Sequence, residues 1–197
     1  MDKLLNWPDF QRKLGKQPLF SWLDVRREFG VSKSAALLTL HRYRKRGLIE
    51  RLRQNIYTMP SSVLPDTFLA NHLYEPSYIS LEFALSYHRI IPENVYSITS
   101  VTPKATRKFT IRGKVFSYRK IKMSAYTGYH VIRQRGIGFA IAEPEKAFVD
   151  LTYYRLRSGS QPLQRIDKEK LNRDKVLRYA KMFDNAKLVA VIITTLR

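Results

Sequence analysis

The chain has 197 residues, of which 44% are apolar and none is cysteine, and its 36 Lys+Arg against 16 Asp+Glu give a formal charge of +20. The length allows one large domain or two small ones with real cores, and the apolar content excludes a disordered chain. The missing cysteines exclude disulfides, thiolate metal sites and cysteine nucleophiles, while the charge calls for a polyanionic partner, with nucleic acid ahead of a membrane surface because no basic amphipathic helix with a bulky apolar face is present.

In chain order, Leu4 to Leu14 is predicted as a short helix, and Ser21 to Phe29 as the next, with Trp22, Val25 and Phe29 along one face. Gly30 stops it in a left-handed turn, Val31 is buried, and Ser32 caps a helix from Lys33 to Arg46. Residues 36, 40, 43 and 47 of that helix are expected to face the core, and Gly47 ends it. Leu48–Leu52 and Ile56–Met59 read as strands joined by Arg53-Gln54-Asn55. Helix, glycine turn, serine-capped helix and hairpin are the order of a winged helix-turn-helix. The Pro- and Ser-rich seam from Met59 to Pro65 places a domain boundary, giving domains 1–62 and 63–197.

The second domain reads as mixed α/β, so the fold class is α+β with an N-terminal winged helix-turn-helix. A helix capped by Asp66 runs to Tyr74. Tyr78-Ile79 is a short strand, and Ser80 caps a helix from Leu81 to His88 with Leu81, Ala84 and Leu85 inward. Val95–Val101 alternates like a strand. Lys108–Ile111 and Val115–Ile121 form a hairpin around Arg112-Gly113-Lys114, and Tyr129–Arg135 and Ile137–Ala142 form another. Glu143–Tyr154 is a helix with Pro144 in its first turn. Ser158 to Pro162 is an exposed loop, and helices over Lys168–Phe183 and Ala186–Leu196 follow. Met1 to Leu14, with Asp2 and Asp9 and no long apolar stretch, does not read as a signal peptide, and no apolar run approaches the roughly 20 residues of a membrane helix. A cytoplasmic protein is expected.

Double-stranded DNA is the partner this order and charge suggest. Lys33, Ser34, Leu38, His41, Arg42 and Lys45 are placed on the outer face of the second helix, where base edges and phosphates are reached. Lys33, Ser34, His41 and Arg42 are expected to give specificity. Leu38 meets either a thymine methyl or the core. Arg51, Arg53 and Gln54 lie on or beside the hairpin tip, which can enter the minor groove or lie along the phosphates, and Arg51 and Arg53 are expected mainly to hold the DNA backbone. Residues 89–135 contain 11 basic residues and one acid. Within them Lys104, Arg107, Lys108, Arg112, Lys114, Arg119, Lys120 and Lys122 are candidates for a secondary basic surface.

Three stretches carry a resemblance to a known family: Tyr78 to His88, Ser100-Val101-Thr102, and Ala142 to Asp150. Together with a first domain ending in the Ile56-Tyr57 strand, they resemble the AbiEi-type antitoxins of abortive-infection AbiE toxin–antitoxin systems over nearly the whole chain. The resemblance implies a transcriptional repressor that binds inverted repeats upstream of its own operon, in a phage-defence system whose toxin is a nucleotidyltransferase. A homodimer on the operator, direct contact with a toxin, and a lone regulator without one all stay open. Arg89 stands where the family commonly has glycine.

Two other readings compete. One is an antitoxin acting by direct protein contact with little specific DNA binding. The other is a metal-dependent nuclease using Glu143, Glu145 and Lys146, which would need a third carboxylate; acids beside Pro144 are also ordinary for a helix start. His41, His72, His88 and His130 lack metal-ligand spacing, Ser80 and Ser100 lack a nucleophile motif, and Gly136-Ile137-Gly138 lacks the third glycine of a dinucleotide loop. No catalytic residue, metal or cofactor is therefore expected. The tyrosines of Tyr118-Arg119-Lys120 and of Tyr126 to His130, interleaved with cations, suit half-buried strand positions better than stacking on single-stranded RNA.

Overall fold

Side-chain caps and left-handed turns set the elements of the first sixty-odd residues. The computed structural model describes residues 5–134 and 136–196, so the expected helix start at Leu4 and strand end at Arg135 lie outside the described residues. Two compact units divide at Pro65–Asp66. In the first, Asn6 accepts from the Asp9 amide at 2.9 Å and opens α1 (Trp7–Leu14). Ser21 and Asp24 form a reciprocal capping box at the start of α2 (Trp22–Phe29). Gly30, at φ +65°, turns the chain left-handed. Ser32 Oγ then accepts from the Ala35 amide at 3.2 Å and starts α3 (Lys33–Lys45). Strands β1 (Glu50–Arg53) and β2 (Ile56–Thr58) pair antiparallel with a bulge between Arg51 and Arg53, turning at Asn55 with φ +62°.

Three helices and a hairpin enclose one core of Phe10, Leu14, Phe20, Val25, Leu40 and Tyr43, with Trp22 and Phe29 packed at its edge. The rings of Trp7 and Phe10 both meet Tyr43 edge-on, and the Tyr43 hydroxyl donates to the Leu5 carbonyl at 2.6 Å. Ala36, Leu40 and Tyr43 are buried as predicted, but Gly47 is exposed, because it lies past the helix at φ +69°.

The second unit is built on a six-stranded sheet ordered β5-β6-β4-β3-β8-β7. Its strands are β3 (Tyr78–Ile79), β4 (Ile98–Thr102), β5 (Arg107–Ile111), β6 (Lys114–Lys120), β7 (Tyr129–Gln134) and β8 (Ile137–Ala142). The β3–β8 and β4–β6 pairs are parallel and the others antiparallel. Helix α4 (Asp66–Leu73) packs on one face, where the Tyr118 hydroxyl donates to the Ala70 carbonyl at 2.6 Å. Helices α5 (Leu81–Tyr87) and α6 (Pro144–Arg157) pack on the other, which Tyr78 enters from β3 to reach α6. Covered on both sides, β3 has no polar alternation and buries both its residues. Helices α7 (Arg173–Lys181) and α8 (Ala186–Thr195) close the unit. Among the described residues no helix is long and apolar enough to cross a membrane.

Several expectations are corrected. Asp66 is a first-turn residue of α4 rather than its cap, and its carboxylate takes Lys114 at 2.5 Å. Ser80 occupies the cap position of α5, yet its hydroxyl caps nothing: it donates to Asp150 at 2.8 Å, since a buried carboxylate is the stronger acceptor. The strand expected at Val95 begins at Ile98, where pairing with Phe116 starts, and Tyr96 is left exposed. The helix expected over 168–183 breaks at Leu171, which is extended and buried, and Asn172 restarts it by accepting from the Lys175 amide at 3.0 Å. Arg89 has φ +56°, the left-handed conformation that glycine adopts without cost.

Gly128 combines a left-handed backbone with a crowded Cβ position. Its φ is +74°, and a Cβ there would lie 2.7 Å from Tyr179 Cζ. Gly128→Ala should therefore destabilise the second unit by about 1–3 kcal/mol, combining backbone strain with overpacking. Urea unfolding followed by circular dichroism would show the lowered midpoint, and an unchanged midpoint would mean that Tyr179 moves aside freely.

Candidate nucleic-acid interface

On α3 the core stripe of Ala36, Leu40 and Tyr43, with Ala35 and Thr39 half-buried beside it, leaves the rest of the circumference exposed. Ser34, Leu38, His41, Arg42 and Lys45 all lie in that exposed part. Leu38 is 49% exposed, which settles its place outside the core, and Leu37 beside it is 41% exposed. At the N-terminus, Ser34 Oγ lies 2.9 Å from Ser32 Oγ. The first-turn amides not taken by Ser32 point outward, where an anion is favoured. Lys33 is exposed as well, and its ammonium sits 5.0 Å over the Trp22 ring, leaning toward α2 in a cation–π contact.

Two grooves flank the helix. One, of about 640 Å³, lies between α3 and the segment leading into α1, and Leu38, Arg42, Lys45 and Arg46 line it with Leu5 and Trp7. The other, of about 740 Å³, lies between the end of α3 and the hairpin, lined by Arg44, Arg51, Arg53 and Gln54. Arg51 Nε donates to the Arg53 carbonyl at 3.3 Å, which folds it along the hairpin. Leu38, Arg42 and Lys45 thus line one groove and Arg51, Arg53 and Gln54 the other, which Arg44 joins, while Lys33, Ser34 and His41 line neither. The sequence signal for Arg44 was its spacing four residues after Leu40, which continues the inward stripe past the point where the core ends.

The eight candidates for a secondary basic surface are all exposed on or beside the β5–β6 hairpin, but they do not form one patch. Arg107 pairs with Tyr118 and Lys108 with Ser117, so neighbours in sequence lie on opposite faces of the sheet. Three are held by their own unit: Lys104 donates to the Glu75 carbonyl at 2.6 Å, Lys122 to the Phe183 carbonyl at 2.8 Å, and Lys114 pairs with Asp66. Tyr118 is fully buried, so it presents no stacking face.

The residues of the nuclease reading fall into two clusters: Glu143 and Glu145 share the Lys175 ammonium, while Lys146 pairs elsewhere. Lys146 and Asp150, one turn apart on α6, form an ion pair with both side chains out of solvent. Tyr78 and Ser80 donate their hydroxyls to the other Asp150 oxygen at 3.1 and 2.8 Å. Burial pushes the Asp150 carboxyl up and the Lys146 ammonium down, each against the attraction of its partner. Glu143 accepts from Tyr179 at 2.5 Å and pairs with Lys175 at 2.8 Å. Burial would raise its carboxyl, but those two hydrogen bonds outweigh it and hold the group low. Glu145 Oε1 accepts from the Asn172 amide at 3.2 Å. Among the described residues no three His, Asp or Glu side chains gather where they could hold a metal ion.

No family model matches the chain, and no curated protein matches it.

Proposed function

We propose that the protein is a DNA-binding transcriptional regulator whose first unit reads an operator with inverted repeats. The observation that supports this best is α3: a serine-capped helix set after a left-handed glycine turn, with Ser34, His41, Arg42 and Lys45 exposed and a basic hairpin on one flank. A helix of this kind fits a major groove with its N-terminal residues at the base edges, while the hairpin cations meet phosphates. The net charge of +20 supplies the non-specific attraction. Its resemblance to AbiEi-type antitoxins extends the reading: an autorepressor of an AbiE-like operon in phage defence, cytoplasmic and not an enzyme, with a nucleotidyltransferase toxin as its counterpart.

Arg42 is the residue that tests base readout. It lines a groove beside Leu38, and no carboxylate pairs with it among the described residues. Arg42→Ala should weaken binding to the chain's own upstream duplex by about 1–3 kcal/mol and a shuffled duplex by less, measured by fluorescence anisotropy. Equal losses on both duplexes would make Arg42 a phosphate contact and move base readout to Ser34 and His41.

A further inference from the structure

In the second unit the sheet is unevenly covered. Helices α5 and α6 lie over β4, β3 and β8, and beyond them a polar cleft of about 540 Å³ opens beside the end of β6. Thr99 on β4 and Arg119 on β6 share this face of the sheet, because Thr99 pairs with Ser117 and Val101 with Arg119 in a parallel ladder. The C-terminal half of α6 adds Arg155 and Arg157, and Glu82 is the one carboxylate in the lining. Among the described residues no carboxylate pairs with any of the three arginines. Neutral groups hold two of them: Arg155 Nε donates to the Gln161 carbonyl at 2.6 Å, and the Arg157 guanidinium lies 5.6 Å from the Tyr153 ring centre. Each guanidinium has further N–H donors beyond these contacts.

Arg119, Lys120, Arg155 and Arg157 line the cleft against the single carboxylate of Glu82, and a multiply charged anion offsets that excess of positive charge. The volume is that of a small-molecule site, too large for a single inorganic ion. Thr106, which accepts from the Lys120 amide, keeps its hydroxyl proton to donate, and Ser158 and Ser160, bonded to each other and to the Arg155 carbonyl, add polar oxygens to the rim. Leu81, Leu151 and the ring of Tyr154 give it an apolar wall, and the Tyr154 hydroxyl is already committed to the Lys120 carbonyl. Arginine forks with hydroxyls beside them match phosphate oxygens, and the apolar wall matches a base or ribose. We propose that this cleft binds a compact polyphosphate ligand of the nucleoside triphosphate class.

The test is a competition assay on the full-length protein at about 150 mM salt, using a fluorescent ribose-labelled ATP as probe. Unlabelled ATP, GTP, CTP, UTP and inorganic triphosphate are the competitors. Arg119→Ala with Arg155→Ala should weaken the probe at least tenfold. Arg26→Ala with Arg27→Ala, which removes the same charge from α2, should leave it unchanged. Glu82→Gln should tighten it about threefold, a gain that misfolding cannot produce. Nucleotides outcompeting inorganic triphosphate would confirm the apolar wall as a nucleoside site. Equal competition would uphold the phosphate site and assign it to free polyphosphate. No displacement below about 1 mM, or equal weakening by the two double variants, would overturn the proposal. So would a single-stranded oligonucleotide that displaces the probe far below the nucleotide concentrations, since the cleft would then hold a nucleic-acid backbone.

Discussion

Replacing Lys146 by Met should lower the stability of the second unit by about 3–5 kcal/mol, the usual cost of stranding one member of a buried ion pair. Lys146 and Asp150 are both shut off from solvent, so an unpaired Asp150 could recover neither water nor a substitute cation. The Lys146 stem would lose little on becoming Met, since its ammonium already sits between the rings of Tyr78 and Phe183 at 5.6 and 5.0 Å. The loss is therefore electrostatic. The double variant Lys146→Met, Asp150→Asn should recover most of it, because Asn is neutral and its carbonyl can still accept from Tyr78 and Ser80. Asp150→Leu in the same background should recover less, leaving both hydroxyls without an acceptor. Urea unfolding followed by far-ultraviolet circular dichroism would rank the three variants. A loss under about 1 kcal/mol for Lys146→Met would mean that water reaches the pair.

The same cluster shows where the sequence could be read and where it could not. The winged-helix elements were legible because each boundary is chemically local: Ser21 with Asp24, Gly30 and Ser32 act on amides within four residues of themselves. The stripe Ala36, Leu40, Tyr43 followed from helical spacing alone. Ser80 has the same local signature, yet its hydroxyl answers to Asp150, seventy residues away. Nothing in the spacing of Tyr78, Ser80, Lys146 and Asp150 announces that β3 and α6 will bring them together. The parallel partners of β3 and β4 were equally hidden, since neither strand pairs in parallel with the one next to it in the chain. At the interface, residue types were legible and directions were not. A helical wheel placed Lys33 on the outer face, where it is exposed, but its ammonium leans over the Trp22 ring toward α2. The alternation of the β5–β6 hairpin likewise divides a run of cations that reads as continuous in sequence.

That division bears on how the protein should respond to salt. With the hairpin cations of the second unit split between two faces, phosphate contacts should come mainly from α3 and the β1–β2 hairpin. About five such contacts would make duplex affinity fall by about 10²–10³ between about 50 and 200 mM salt. Removing Arg51 and Arg53 together should lower the slope by about two contacts' worth while leaving the preference for the chain's own upstream duplex almost intact, because phosphate contacts carry no sequence information. Arg42→Ala should do the reverse, eroding the preference more than the slope. A specific operator should be favoured over a shuffled duplex by about 10³ or more. Anisotropy titrations of the three proteins on both duplexes separate these effects. If the wild-type chain bound the duplexes alike at every salt concentration, its charge would be a general attraction to polyanions. The repressor reading would then fail even though the helix-turn-helix geometry stands, and direct contact with another protein would become the stronger account.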